Sequence, residues 1–271
     1  MAVTDGSYIK EMFTNVSTAA YILECRKGRG RLIGAFPEQS LSACAYRGEL
    51  LGLLAIHLIL LSVNKVNPGL QGKATIYSDC LGALGRVRDL PPHRIPTRCQ
   101  HSDILKTILT SCSDLTFDRE FKHVKAHQDD KEAFQTLLRE SQLNCACDYG
   151  AKKKVHDQTP GQLPKQLPFP LEPICMFVGK EKMTSDTAKI VRYEAHRQIA
   201  KEEFHSMKLL YEAQFEEVAW RHVHQTLHSV PRLFQIWASK QVMGIAGTFH
   251  FQSTYNKDID PICRSCGCWL L

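Results

Sequence analysis

The sequence predicts an α/β protein, with a mixed five-stranded sheet flanked by helices and then a smaller, mostly helical segment. Three observations carry this expectation. Over residues 1–157, runs of strand formers and helical stretches follow the order strand, strand, strand, helix, strand, helix, strand, helix. Five prolines from Pro160 to Pro173 then mark a linker, placed over 158–177. Across 178–271, apolar residues such as Ile190, Val191, Ile199, Phe204 and Val223 recur at spacings of three and four.

The first 36 residues read as three strands: Ala2 to Tyr8, Thr18 to Cys25, and Arg31 to Phe36. Gly28 and Gly30 supply the tight hairpin between the second and third. A helix from about Ser42 to Val63 follows, with Ser40 or Ser42 as its N-cap. Its run from Leu50 to Leu61 is broken only by Gly52 and His57; it is too short for a membrane span and fits a core helix. Lys73 to Asp79 forms the fourth strand, parallel to the first if the helix is a crossover. Ser102 is expected to cap a helix carrying Ile104, Leu105 and Ile108, and Leu115 to Val124 reads as the fifth strand. A last helix of this region begins near Leu143, and Thr187 to about Leu227 reads as continuous helix.

Composition narrows the class of function. With 271 residues, 44% hydrophobic and 23% charged, the chain is expected to be a soluble globular protein, of one large domain or, more readily, two modest ones. Of the net charge of +6, +4 falls before residue 158, a mild lean toward a polyanionic partner that serves solubility equally well. Met1-Ala2-Val3-Thr4-Asp5 has no apolar leader and no segment looks transmembrane, so no membrane partner is expected. Most of the eleven cysteines therefore read as small core residues in the reducing cytoplasm or nucleus.

Four acids fall at the places where this scaffold converges. Asp5 lies on the first strand, Glu49 one turn into the apolar helix, Asp79 at the end of the fourth strand and Asp148 on the last helix. An acid entering a core is costly unless a positive charge meets it. Hard oxygen ligands suit Mg2+, or Mn2+ in its place, and four acids can hold two ions about 3.5–4 Å apart. Taken singly, Glu49 reads more readily as a surface acid beside Arg47, and His127 as a solvated loop histidine. Lys152-Lys153-Lys154 can track a phosphate backbone or simply complement a helix dipole.

The motifs Thr4-Asp5-Gly6-Ser7, Tyr46-Arg47-Gly48-Glu49-Leu50, Ile76-Tyr77-Ser78-Asp79, His123-Val124-Lys125-Ala126-His127-Gln128-Asp129 and Leu143-Asn144-Cys145-Ala146-Cys147-Asp148 occur in this order. Over residues 1–157 the chain resembles the ribonuclease H domain of non-LTR-type retrotransposon reverse transcriptases. The resemblance implies a ribonuclease H-like sheet of order 3-2-1-4-5 and two-metal hydrolysis of the RNA strand of an RNA–DNA hybrid. It implies Asp5, Glu49, Asp79 and Asp148 as metal ligands, His127 as a loop histidine that handles water or releases product, and Gly6, Ser7 and Asn144 as nucleic-acid contacts. It implies no small-molecule cofactor beyond the metal, and a polymerase domain of the parent element as a further partner. Val178 to Cys268 also resembles the segment that follows this domain in such polyproteins.

Three departures from the family are plain. Only four residues precede Asp5, so the first strand is expected to be short; no glycine occurs in the turn from Lys10 to Val16. Cys263, Cys266 and Cys268 offer three thiols where a structural Zn2+ takes four ligands, and read as a partial zinc knuckle. Two alternatives to the nuclease follow: an inactive nucleic-acid-binding relic of a retroelement, and a zinc-dependent interaction protein.

Overall fold

The strands at the sheet's centre are buried because both faces are covered. Strand β1 (Ala2–Ser7) is buried along nearly its whole length, as is most of β2 (Val16–Glu24). Successive side chains point to opposite faces. Ala2, Ala19 and Ile76 accordingly join one core cluster, while Val3, Ala20 and Tyr77 join another. The computed structural model describes residues 1–25, 30–91, 95–96, 98–116, 118–159, 167–242 and 256–258.

The sheet has the order β3-β2-β1-β4-β5, as expected. β2 and β3 (Arg31–Gln39) pair antiparallel from Val16↔Gln39 to Glu24↔Arg31. β1 pairs antiparallel with β2 over all six of its residues. It pairs parallel with β4 (Lys73–Ser78) at Ala2↔Ile76 and Val3↔Tyr77. β5 (Asp118–His123) extends β4 in parallel. Helices α1 (Ala45–Val66), α2 (Leu81–Arg88) and α3 (Ser102–Ser113) contribute to the first cluster, and α4 (Arg139–His156) to the second.

Helix α1 is the main apolar element. Leu50, Leu53 and Ile56 are fully buried in the first cluster, and each contributes about 1.5–3 kcal/mol by leaving water. At 22 residues the whole helix is long and apolar enough to cross a membrane, unlike its central run, but most of its apolar window is buried within the fold. Its N-cap is Cys44 and not Ser40 or Ser42; the Cys44 Sγ accepts from the Arg47 N–H at 3.4 Å. The serines shape the approach instead, Ser40 Oγ accepting from the Ser42 N–H.

Two glycines let α1 lie directly on the sheet. A Cβ on Gly48 would sit 2.6 Å from the Thr18 carbonyl oxygen and 3.1 Å from the Gly6 Cα. One on Gly6 would fall 2.2 Å from the Glu49 backbone nitrogen. No side chain fits between these backbones.

The strap from residue 167 to 184 returns to this same fold. A hairpin of β6 (Phe177–Val178) and β7 (Glu181–Lys182) places Thr184 against the start of α3. There its carbonyl accepts from the Ser102 N–H at 2.9 Å and from Ser102 Oγ at 3.3 Å. His101, with φ 55°, is the N-cap of α3; the expected cap Ser102 is the first helical residue and bonds to Thr184. The chain divides into compact units after Arg192, beyond the linker drawn over 158–177.

The expected single helix from Thr187 to Leu227 is broken. α5 (Thr187–Ser206) is followed by α6 (Glu212–Glu217), α7 (Trp220–Ser229) and α8 (Arg232–Val242). In the second unit, Phe204, Phe215 and Trp220 form one aromatic cluster with ring centroids 4.6–5.9 Å apart. Gathering these rings requires the chain to reverse near Lys208, which has φ 56°. Cys263, Cys266 and Cys268 lie outside the described residues.

The glycine contact generates a stability prediction. Gly48→Ala should cost about 1–3 kcal/mol through overpacking against backbone. Gly85→Ala, in α2 with open space around its Cα, should be neutral or gain up to about 1 kcal/mol from helix propensity. Urea midpoints of the two variants measure this, and equal midpoints would contradict the packing account.

Candidate active site

The parallel register between β1 and β4 brings two acids level. Val3 faces Tyr77, so two residues further on Asp5 stands beside Asp79, just past the C-terminal end of β4. Glu49 enters from α1, where the glycine contact sets its backbone against Gly6. Ligand oxygens of Asp5, Glu49 and Asp79 all lie within 4.8 Å of one another, the one such metal-suited group among the described residues.

The hydrogen bonds around these acids are few. The Gly6 N–H donates to Asp5 Oδ1 at 2.7 Å and to Glu49 Oε1 at 2.9 Å. Ser78 Oγ donates to Glu49 Oε2 at 3.2 Å. Asn144 Nδ2 donates to Asp79 Oδ2 at 3.4 Å, and His123 Nε2 donates to the Asp79 carbonyl at 3.0 Å.

Electrostatics follows from this crowding. Burial foremost pushes Asp5 up from 3.8 to about 6; its hydrogen bond with Glu49 pulls the other way, while Asp79 and Asp148 raise it further. Glu49 is pushed well above the usual carboxylate range by burial and then by the Asp5 charge. Three acids at the sheet's centre, with no basic side chain among the described residues bonded to their carboxylates, are held at a cost. The donor set fits a hard divalent cation, whose charge would remove that cost.

The remaining expected residues take varied positions. Asp148 is outside the three-acid group: its Oδ2 is 2.7 Å from Lys152 Nζ, one turn along α4, and 3.7 Å from His127 Nδ1. His127 is exposed in a left-handed conformation with φ 49°. Asn144 is buried, and its Oδ1 has no hydrogen-bond partner. Ser7 is also buried, with its carbonyl accepting from Thr18 Oγ1 at 3.3 Å. Gly6 provides the donor shared by Asp5 and Glu49. Sequence reasoning missed Ser78 and Lys152 as partners of these acids; the one signal was adjacency to Asp79 for Ser78 and i,i+4 spacing from Asp148 for Lys152.

The fold is ribonuclease H-like. Its warrant is the sheet order with an antiparallel β3-β2-β1 half and a parallel β1-β4-β5 half. No protein-family model and no curated protein sequence matches the chain. Among solved structures, ribonuclease H1 from Halobacterium salinarum is similar at 16% identity, covering 58% of this chain and 97% of that one, with a TM-score of 0.38. LC11 ribonuclease H1, solved with an RNA/DNA hybrid, is similar at 11% identity over 57% and 95% of the two chains, with a TM-score of 0.39. Foamy viral protease–reverse transcriptase, solved with double-stranded DNA, is similar at 16% identity over 57% and 92%, with a TM-score of 0.41.

The raised Asp5 value has a thermodynamic consequence. An acid with a raised folded-state value contributes stability below its unfolded value and loses it as pH rises to about 6. Metal-free Asp5→Asn should therefore be more stable than wild type at pH 8 by roughly 1–2 kcal/mol, with the gain shrinking toward pH 4. Thermal unfolding in chelator at the two pH values measures this; a less stable variant at pH 8 would contradict it.

Proposed function

We propose that the chain is an endonuclease that hydrolyses the RNA strand of RNA–DNA hybrids, with an origin in a retroelement. The observation carrying this reading is the convergence of the Asp5, Glu49 and Asp79 carboxylates at the centre of the sheet. In this reading those three side chains hold Mg2+ or Mn2+, and Asp148 completes a second site. Held there, such a cation would supply the chemistry of activating water for attack on the phosphodiester and stabilising the leaving 3′ oxygen, which would give 3′-hydroxyl and 5′-phosphate ends.

The protein's own groups divide the remaining work. Lys152 holds Asp148 through Oδ2, so Asp148 Oδ1 would be the oxygen offered to a cation, with the Lys152 ammonium beside it for a phosphate oxygen. His127, exposed and 3.7 Å from Asp148, is placed to move a proton at the mouth of the site. Hybrid recognition rests on 2′-hydroxyls and helix shape more than on base edges.

The test is cleavage of a labelled RNA–DNA hybrid in Mg2+ by wild type and by Asp79→Asn. The expected result is hybrid-dependent RNA cleavage by wild type and a loss of about a hundredfold or more in the variant. A folded wild-type protein that leaves the hybrid intact would overturn the reading.

A further inference from the structure

Five charged side chains form a second cluster on the α1 side of the fold, and none of them belongs to the three-acid group. The Arg47 side chain is fully buried. Its guanidinium forks between Glu38 of β3, at 3.0 and 2.7 Å, and Asp103 of α3, at 3.2 and 2.8 Å. Lys182, from the strap, reaches into the same place. Its Nζ lies 3.4 Å from Asp103 Oδ2 and 2.7 Å from Glu172 Oε2, and 3.6 Å from the centroid of the Phe169 ring. The Lys182, Glu172 and Asp103 side chains are 1–2% exposed.

Such charges are tolerated in a core only when each faces an opposite partner. Deleting one member leaves its partners charged, buried and uncompensated. The network therefore ties the strap to Asp103, Asp103 to Arg47, and Arg47 to β3. Thr184 adds neutral bonds at the same corner, donating from Oγ1 to Ser42 Oγ at 2.8 Å and accepting from the Ser102 N–H at 2.9 Å.

What this corner holds is the first turn of α1. Arg47 is two residues before Glu49, and between them Gly48 rests on the Gly6 backbone with no side chain to take up movement. A small rotation of that turn would carry the Glu49 carboxylate off the Gly6 N–H and Ser78 Oγ. We propose that Lys182 is a positioning residue for Glu49, acting through Asp103 and Arg47, so that the strap from 167 to 184 is a working part of the site. The kinetic side of this inference rests on the nuclease reading; the structural side does not.

The test uses the full chain with Lys182→Met and Lys182→Arg, and Glu172→Gln as a milder variant should Lys182→Met fail to fold. Hydrogen exchange is followed at residues 45–50 and along α4, alongside kcat and KM for hybrid cleavage in Mg2+. Lys182→Met should speed exchange at 45–50 about tenfold while α4 is unchanged, and lower kcat about tenfold at constant KM. Lys182→Arg should restore both, and Glu172→Gln should move them the same way by less. Wild-type exchange at 45–50 in a folded variant overturns the inference. So does acceleration spread equally over 45–50 and α4, which marks the strap as general fold support. If wild type cleaves no hybrid, the nuclease reading fails and the exchange comparison alone decides this one.

Discussion

Helix α1 meets strand β1 backbone to backbone at Gly48 and Gly6, and the arrangement of the site depends on that contact. Gly6 and Gly48 together make room for it. Because the helix lies so close, Glu49 comes within hydrogen-bonding distance of the β1 backbone and joins acids that belong to strands. A bulkier residue at either glycine would lift α1 from the sheet and take Glu49 with it. The apolar face of α1 then supplies the burial that keeps the contact closed, through Leu50, Leu53 and Ile56.

The two ends of Glu49's neighbourhood handle buried charge in opposite ways. Around Arg47 the charges are paired with opposite ones, guanidinium and ammonium facing Glu38, Asp103 and Glu172. Around Asp5 they are not, and burial with mutual repulsion drives Asp5 and Glu49 upward. A paired cluster locks structure, whereas acids forced together without a cation point to a site that takes one. The same helix turn links them: Arg47 anchors it and Glu49 uses it. Within the described residues, Asp148 sits between these regimes, satisfied for now by Lys152.

Much of this was legible in the residues. The alternation of strands with helices, the crossover from β1 through α1 to β4, and the placing of acids on those elements are local patterns, and they led to Asp5, Glu49 and Asp79. The order 3-2-1-4-5 came instead from the family resemblance. What was not legible depended on partners distant in sequence. Arg47 reads as a surface neighbour of Glu49 because Glu38 and Asp103, which allow its burial, lie on other elements. The cap of α3 was misplaced by one residue because the Thr184 carbonyl, 82 positions away, occupies Ser102. Prolines over 160–173, read as a linker, cannot show that Glu172 and Lys182 return to a buried ion network. The helical run after Thr187 breaks where three aromatic rings meet, which spacing of three and four does not reveal.

The central claim is that Asp5, Glu49 and Asp79 are gathered to hold a divalent cation. The most direct measurement is anomalous diffraction from crystals of the full chain equilibrated with Mn2+ at neutral pH. The account predicts a strong peak between these three carboxylates, absent from Glu49→Gln crystals treated in the same way. A well-ordered wild-type site with no peak among the three acids at saturating Mn2+ would contradict it.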